Sequence, residues 1–172
     1  GHVEIRRLGF VTTLDKWILT FLGFFAAWKV ARYEKKVIVW GMMLSQASIA
    51  AYFLKKVRPR TPFILTLQEG DSESYIRRGR MGLIYFFWRR MLGTADGVTA
   101  ISGYLARKAR EAGSRTEAVI IPNGVDENYV SQAFEGAPIE LFKEELGIPV
   151  TKRVVISVSR LVHKNGITDL IR

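Results

Sequence analysis

The sequence predicts an α/β fold: a parallel sheet flanked by helices, then the beginning of a second unit of the same kind. Three observations predict it. Short apolar runs alternate with helix-length segments across residues 37–121, the pattern of βαβ units with buried strands. Ser, Gly and Pro stand where helices and strands should start or stop. After Asp126 a polar stretch with two prolines precedes a fresh apolar run, Val154–Val158, as at a link between two units.

The elements follow in order. Val3–Phe10 opens as a strand-like run ending at Gly9. Thr12 or Thr13 can cap the next helix, with Asp15 in its first turn. That helix should reach Tyr33, where Lys and Arg face the negative end of its dipole. Val37–Trp40, between Lys36 and Gly41, reads as a strand buried on both faces, with helices on either side of the sheet. Ser45 should cap a helix to Lys56, and the run Arg58-Pro59-Arg60-Thr61-Pro62 breaks the chain. Phe63–Leu67 is the next buried strand. Ser72–Leu92 is helical in pattern, with Arg77, Arg78, Arg80, Arg89 and Arg90 interleaved with aromatic residues. Ordinary amphipathy accounts for that pattern, and so would a basic binding face. Gly97–Ile101 is a strand, Ser102 caps a helix ending near Gly113, and Ala118–Ile121 is a strand closed by Pro122. Ile139–Leu146 is a short helix ended by Gly147.

Composition narrows the chemistry. The 172 residues suit one domain, or one plus a piece of a second. The absence of cysteine excludes disulfides, thiolate metal sites and a cysteine nucleophile. His2 and His163 lie at opposite ends, so no zinc site and no metal is expected. Net charge is +10 and uneven: residues 1–60 hold eleven Lys/Arg against three acids, residues 121–172 six against seven. The basic first third suits an anionic membrane surface, a phosphorylated acceptor or nucleic acid; a solvated face is the simpler reading. No RRM or KH signature is present, and no nucleic-acid partner is expected. No basic leader precedes an apolar stretch, which predicts no signal peptide. Trp17–Val30 has one charge, Lys29, and runs 14 residues, short of the ~20 that span a bilayer. It reads as a buried or interfacial helix.

Three segments carry the chemistry. They are Ala95-Asp96-Gly97-Val98-Thr99-Ala100-Ile101-Ser102, Ile121-Pro122-Asn123-Gly124-Val125-Asp126, and Ser159-Arg160-Leu161-Val162-His163-Lys164-Asn165-Gly166. Asn123 and Gly124 permit positive φ and a tight turn, which Asp126 can fix through nearby backbone. Arg160 follows an apolar run, and Gly166 stands where a helix would start. Cations and free amides meeting there would suit a phosphate. Gln68, Glu69 and Asp71 follow the strand Phe63–Leu67 at its carboxyl end, where site residues gather in parallel sheets. They can bind acceptor hydroxyls, or simply cap the next helix. Ser102 reads as a helix cap that also faces this end.

In these segments the sequence resembles the group-one glycosyltransferase family, over about residues 36–172. The family's pattern is A-D-x-x-x-x-x-S, then I-P-N-G-V-D, then G-R-L-x-x-x-K-G. The resemblance implies a GT-B fold with two Rossmann-like domains, here as a fragment. Residues 1–130 would be an N-terminally truncated acceptor-side domain, 131–150 the interdomain linker, and 151–172 the start of the nucleotide-sugar-binding domain. It implies transfer of a hexose from a nucleotide diphosphate sugar to a glycan, lipid or small acceptor, with retention. Arg160, Lys164 and Gly166 would hold the donor diphosphate, with no cofactor. Here Ser159 replaces the usual Gly, and Asn165 stands where the family has Lys. Gln68 stands where the family often has His, and it cannot act as a base. No catalytic residue is assigned. Asn123, Gly124 and Asp126 would anchor the hinge. The protein is expected in the cytoplasm at the inner face of the membrane, and this chain alone is expected to be inactive. The rival reading is a basic membrane- or nucleic-acid-binding module without catalysis.

Overall fold

The computed structural model describes residues 5–9, 15–68, 76, 79–128, 138–162 and 165–171. The chain forms two compact units, Gly1–Gly124 and Val125–Arg172.

The first unit is a four-stranded sheet in the order β1-β2-β3-β4, every neighbouring pair parallel. Helix α1 (Asp15–Tyr33) has Asp15 in its first turn and Arg32 in its last, both matched to the helix dipole. Its expected threonine caps lie outside the described residues, and Ile5–Gly9 does not pair as a strand. Strand β1 (Val39–Met42) starts two residues later than its apolar run suggests. Pairing sets the start: the Val39 N–H donates to the carbonyl of Pro62, one residue before β2 (Phe63–Leu67).

Between them, α2 (Gln46–Val57) is capped as expected, the Ser45 hydroxyl accepting from the Ser48 N–H at 3.2 Å. Gly41 lets this helix approach the sheet. A Cβ there would stand 2.8 Å from Ser48 Oγ and 3.2 Å from a Phe63 ring carbon.

Beyond β2, a 3₁₀ turn (Gly79–Gly82) leads into α3 (Leu83–Leu92). The single helix expected over Ser72–Leu92 is therefore broken at Gly82, which is left-handed at φ 83°. Only glycine takes that conformation without steric cost. Helix α3 buries Trp88, Met91 and Leu92 and turns Arg89 and Arg90 outward over the rings of Tyr85 and Phe86. Its arginine-aromatic pattern is thus amphipathic packing. Strand β3 (Gly97–Ala100), α4 (Gly103–Glu111) and β4 (Ala118–Ile120) complete the sheet. Helix α4 ends in a Schellman motif, with Gly113 at φ 92° and the Ser114 N–H donating to the carbonyl of Ala109.

Alternation along the strands separates two faces. Phe63, Leu65, Leu67, Val98 and Ala100 are buried in one cluster with residues of α2, α3 and α4. The other face carries Trp40, Met42, Ile64, Thr66, Thr99 and Val119, and Trp40 is 65% exposed. Helices on both faces were expected, but the described core lies on one. The strand order never reverses, and connections of one hand then place successive helices on the same side. Among the described strands β1 lies at the edge of the sheet, and Trp40 and Met42 on its outer face are exposed.

In the second unit, α5 (Ile139–Glu145) also ends in a Schellman motif. Gly147 sits at φ 66°, and the Ile148 N–H donates to the Lys143 carbonyl at 2.7 Å. Val154–Val158, expected as a buried strand, forms none, and Val155 and Ile156 are about 80% exposed. A strand exists only by pairing, and no described segment of this unit pairs with it. The short helix α6 (Ile167–Ile171) follows.

Candidate functional site

All four strands run the same way, so the loops after β1, β2, β3 and β4 leave the sheet at one end. Backbone bonds continue past the strands: Met43 N–H to Thr66 O at 2.8 Å, Ile101 N–H to Leu67 O at 3.2 Å, Ile121 N–H to Ala100 O at 2.8 Å. Gln68 and Ser102 therefore leave from neighbouring rungs. Gln68 donates through Nε2 to Asn123 Oδ1 at 3.3 Å. The structure thus brings together a residue read as acceptor-side and one read as hinge. Both amides keep polar valences facing solvent, a pairing able to hold hydroxyl groups. No signal in the sequence links positions 55 residues apart.

Ser102 is occupied as a helix cap, its hydroxyl accepting from the Leu105 N–H at 3.4 Å. Glu69 and Asp71 lie outside the described residues. The expected tight turn at Asn123-Gly124 is absent: neither residue has positive φ, and residues 121–126 run without a turn. Asn123 is held by Gln68 instead.

Asp96, from the Ala-Asp segment, stands at the opposite end of the sheet. Its carboxylate accepts from the Phe63 N–H at 2.7 Å and from Lys55 Nζ at 2.8 Å. Its own N–H donates to the Phe63 carbonyl at 2.8 Å. Asp96 therefore fastens the starts of β2 and β3 and pairs with Lys55. Burial raises its pKa, but the bonds from Lys55 and Phe63 and the ammonium charge outweigh it, and the net direction is down.

A short chain of side-chain hydrogen bonds crosses the other face, where Thr66 is itself buried. Trp40 Nε1 donates to Thr66 Oγ1 at 2.8 Å, and Thr66 Oγ1 lies 2.7 Å from Thr99 Oγ1. The two threonines are register partners in otherwise apolar strands, so period-2 alternation alone places them on one face.

In the second unit the loop that starts at Arg160 folds on itself. The Arg160 carbonyl accepts from the Val162 N–H and from Asn165 Nδ2, both at 2.8 Å. Gly166 is left-handed at φ 67°, which explains a glycine there. Asn165, standing where a lysine was expected, clamps this loop; Lys164 lies outside the described residues. Asp126 Oδ1 accepts from the Asn128 N–H at 3.0 Å. Among the described residues no group of three His, Cys, Asp or Glu side chains gathers as a metal site requires.

Residues 2–129 match Glycosyltransferase Family 4. The chain belongs to that family. The match covers the parallel sheet and every residue of the Gln68–Asn123 end. The chain is also 29% identical over 111 residues to the Bacillus subtilis (strain 168) protein named "Putative teichuronic acid biosynthesis glycosyltransferase TuaC". That alignment takes in 63% of this chain and 27% of the relative, so the chain spans about a quarter of the relative's length. The resemblance thus holds as a glycosyltransferase resemblance over residues 95–102 and 121–126, which the match contains, and the α/β parallel fold agrees with it.

Proposed function

We propose that this family 4 chain is part of an enzyme that moves a hexose from a nucleotide diphosphate sugar to a glycan, lipid or small acceptor, with retention. The family match over the first unit carries the reading, because it covers a sheet whose carboxyl end gathers Gln68, Asn123 and Ser102. That end receives the acceptor, with Gln68 and Ser102 and the following Glu69 and Asp71 as the residues that bind its hydroxyls. In the second unit Arg160, Lys164 and the amides at Gly166 hold the donor diphosphate. Arginine forks two phosphate oxygens and lysine adds a point charge. They neutralise the charge that grows on the leaving diphosphate. A relative named for teichuronic acid biosynthesis favours a synthetic over a hydrolytic role.

The enzyme works at the inner face of a membrane. Phe21 and Phe25 are 67% and 58% exposed on one stripe of α1 that continues to Lys29. Exposed aromatics ending in a basic turn suit the interface of an anionic bilayer. No described helix is long and apolar enough to cross a membrane.

The test uses the full-length protein. Arg160→Ala with Lys164→Ala should slow release of nucleoside diphosphate from the sugar donor by about 100-fold or more. Donor use equal to the parent's would remove the mechanism. Replacing Gln68 by Ala should instead raise the KM for acceptor with little change for donor.

A further inference from the structure

Cations surround a depression at the amino ends of the strands, across the sheet from Gln68 and Asn123. Its volume is about 530 Å3, and Lys55, Lys56, Arg89, Arg90 and Arg115 line it with Asp96 as the one carboxylate. The last turns of α2 and α3 supply the first four, and the loop before β4 supplies Arg115.

Four of these charges have partners within the fold, Lys56 lying over the Tyr52 ring and Arg90 over the Phe86 ring. Lys55 donates to Asp96 and to the carbonyls of Pro59 and Thr61. Arg89 Nε donates to the Ala112 carbonyl at 3.2 Å, leaving its terminal nitrogens. Among the described residues no carboxylate pairs with Lys56, Arg89, Arg90 or Arg115. Helix dipoles explain cations at the ends of α2 and α3 one helix at a time. They do not explain Arg115, which lies in no helix, or the convergence of three segments on one recess. Like charges gathered this way raise the energy of the empty site, and recessed walls focus their field.

We infer that this depression binds a free anion bearing two or more phosphate charges, through residues other than those proposed above for the donor diphosphate. Arg90 and Arg115 fork phosphate oxygens from two sides, and Lys56 adds a point charge. A free anion is favoured over a bilayer because the lining holds no large apolar side chain: besides the charged groups it is Pro59, Gly93 and Thr94.

Calorimetric titration with inorganic pyrophosphate tests this in the Arg160→Ala, Lys164→Ala background, so that the donor site takes no part. Saturable binding that weakens with added salt is expected. Adding Arg90→Gln and Arg115→Gln should weaken it about tenfold or more, the loss of one or two charge-assisted bonds. Lys152→Ala with Arg153→Ala, exposed cations of the second unit, should leave it unchanged. Arg90→Lys with Arg115→Lys should restore part of the affinity at unchanged thermal stability. The inference falls if pyrophosphate does not saturate, if the Gln pair binds as well as its background, or if both pairs weaken binding alike. It falls too if only phosphatidylglycerol vesicles respond to the Gln pair, which would assign the recess to a membrane. Because the donor site is disabled throughout, none of these outcomes bears on donor use.

Discussion

Asp96 and Lys55 show how one carboxylate sets a sheet's start. The carboxylate holds a backbone N–H of β2 while its own backbone enters β3. Asp96→Ala leaves the Phe63 N–H without that acceptor and should cost about 1–2 kcal/mol. Asp96→Asn keeps an acceptor and loses the ion pair, worth under about 1 kcal/mol for a side chain this exposed. Although burial raises it, the pKa of Asp96 is held below its ordinary value in the folded state by the Lys55 ammonium and the Phe63 N–H, so its charge stabilises fully above that ordinary value. That contribution disappears as pH falls through the lower folded-state pKa. Thermal unfolding from pH 7 to pH 2.5 should therefore show parent and Asp96→Asn converging at the acid end. A constant gap at every pH would mean the carboxylate's charge does not matter. Gly124 makes the opposite point. It has ordinary φ and open space where a Cβ would be, so Gly124→Ala should shift stability by less than about 1 kcal/mol, toward the folded state.

At the scale of elements, packing decides where the sequence pattern is silent. Helix α2 turns small residues, Ser48 and Ala51, toward the sheet, and Gly41 completes the close fit from the strand side. Gly41→Ala should cost about 1–3 kcal/mol by overpacking. Ser48→Ala added to it should recover part of that loss by removing the hydroxyl it meets. Denaturant midpoints of the two variants check this, and an additive loss would rule out the contact. Helix ends were plain in the sequence: Ser45 and Ser102 cap, and Gly113 and Gly147 close. These depend on one or two local residues. The break at Gly82 was not plain, because Ser72–Leu92 keeps a helical pattern through it.

The whole molecule concentrates its stability in the first unit. Phe63, Leu65, Leu67, Met91 and Leu92 are fully buried, whereas Val155, Ile156 and Val158 of the second unit are exposed. Leu65→Ala should destabilise by about 2–5 kcal/mol, whereas Val155→Ala in this chain should stay within about 0.5 kcal/mol. Urea unfolding followed by tryptophan fluorescence separates them, since Trp28, Trp40 and Trp88 all lie in the first unit. An equal effect would mean that the run 154–158 is packed. The hydrogen-bonded sheet face of Trp40, Thr66 and Thr99 and the basic recess at the amino ends are also properties of the whole molecule. Each collects residues from strands or helices far apart in the chain.

Local pattern was enough to read the α/β alternation, the strands Phe63–Leu67 and Gly97–Ala100, and the caps at Ser45 and Ser102. Each follows from near neighbours: apolar runs bounded by breakers, and hydroxyls placed before helices. It also brought out the glycosyltransferase resemblance, because residues 95–102 and 121–126 keep their order along the chain. The tertiary structure alone fixed that α2, α3 and α4 pack on one face, that β1 lies at the edge of the described strands, and that Gln68 meets Asn123. It also decided that the apolar run 154–158 stands unpaired, since a strand's hydrogen bonds belong to its partner. Such facts depend on which distant segments pair and pack, and local pattern carries no record of that.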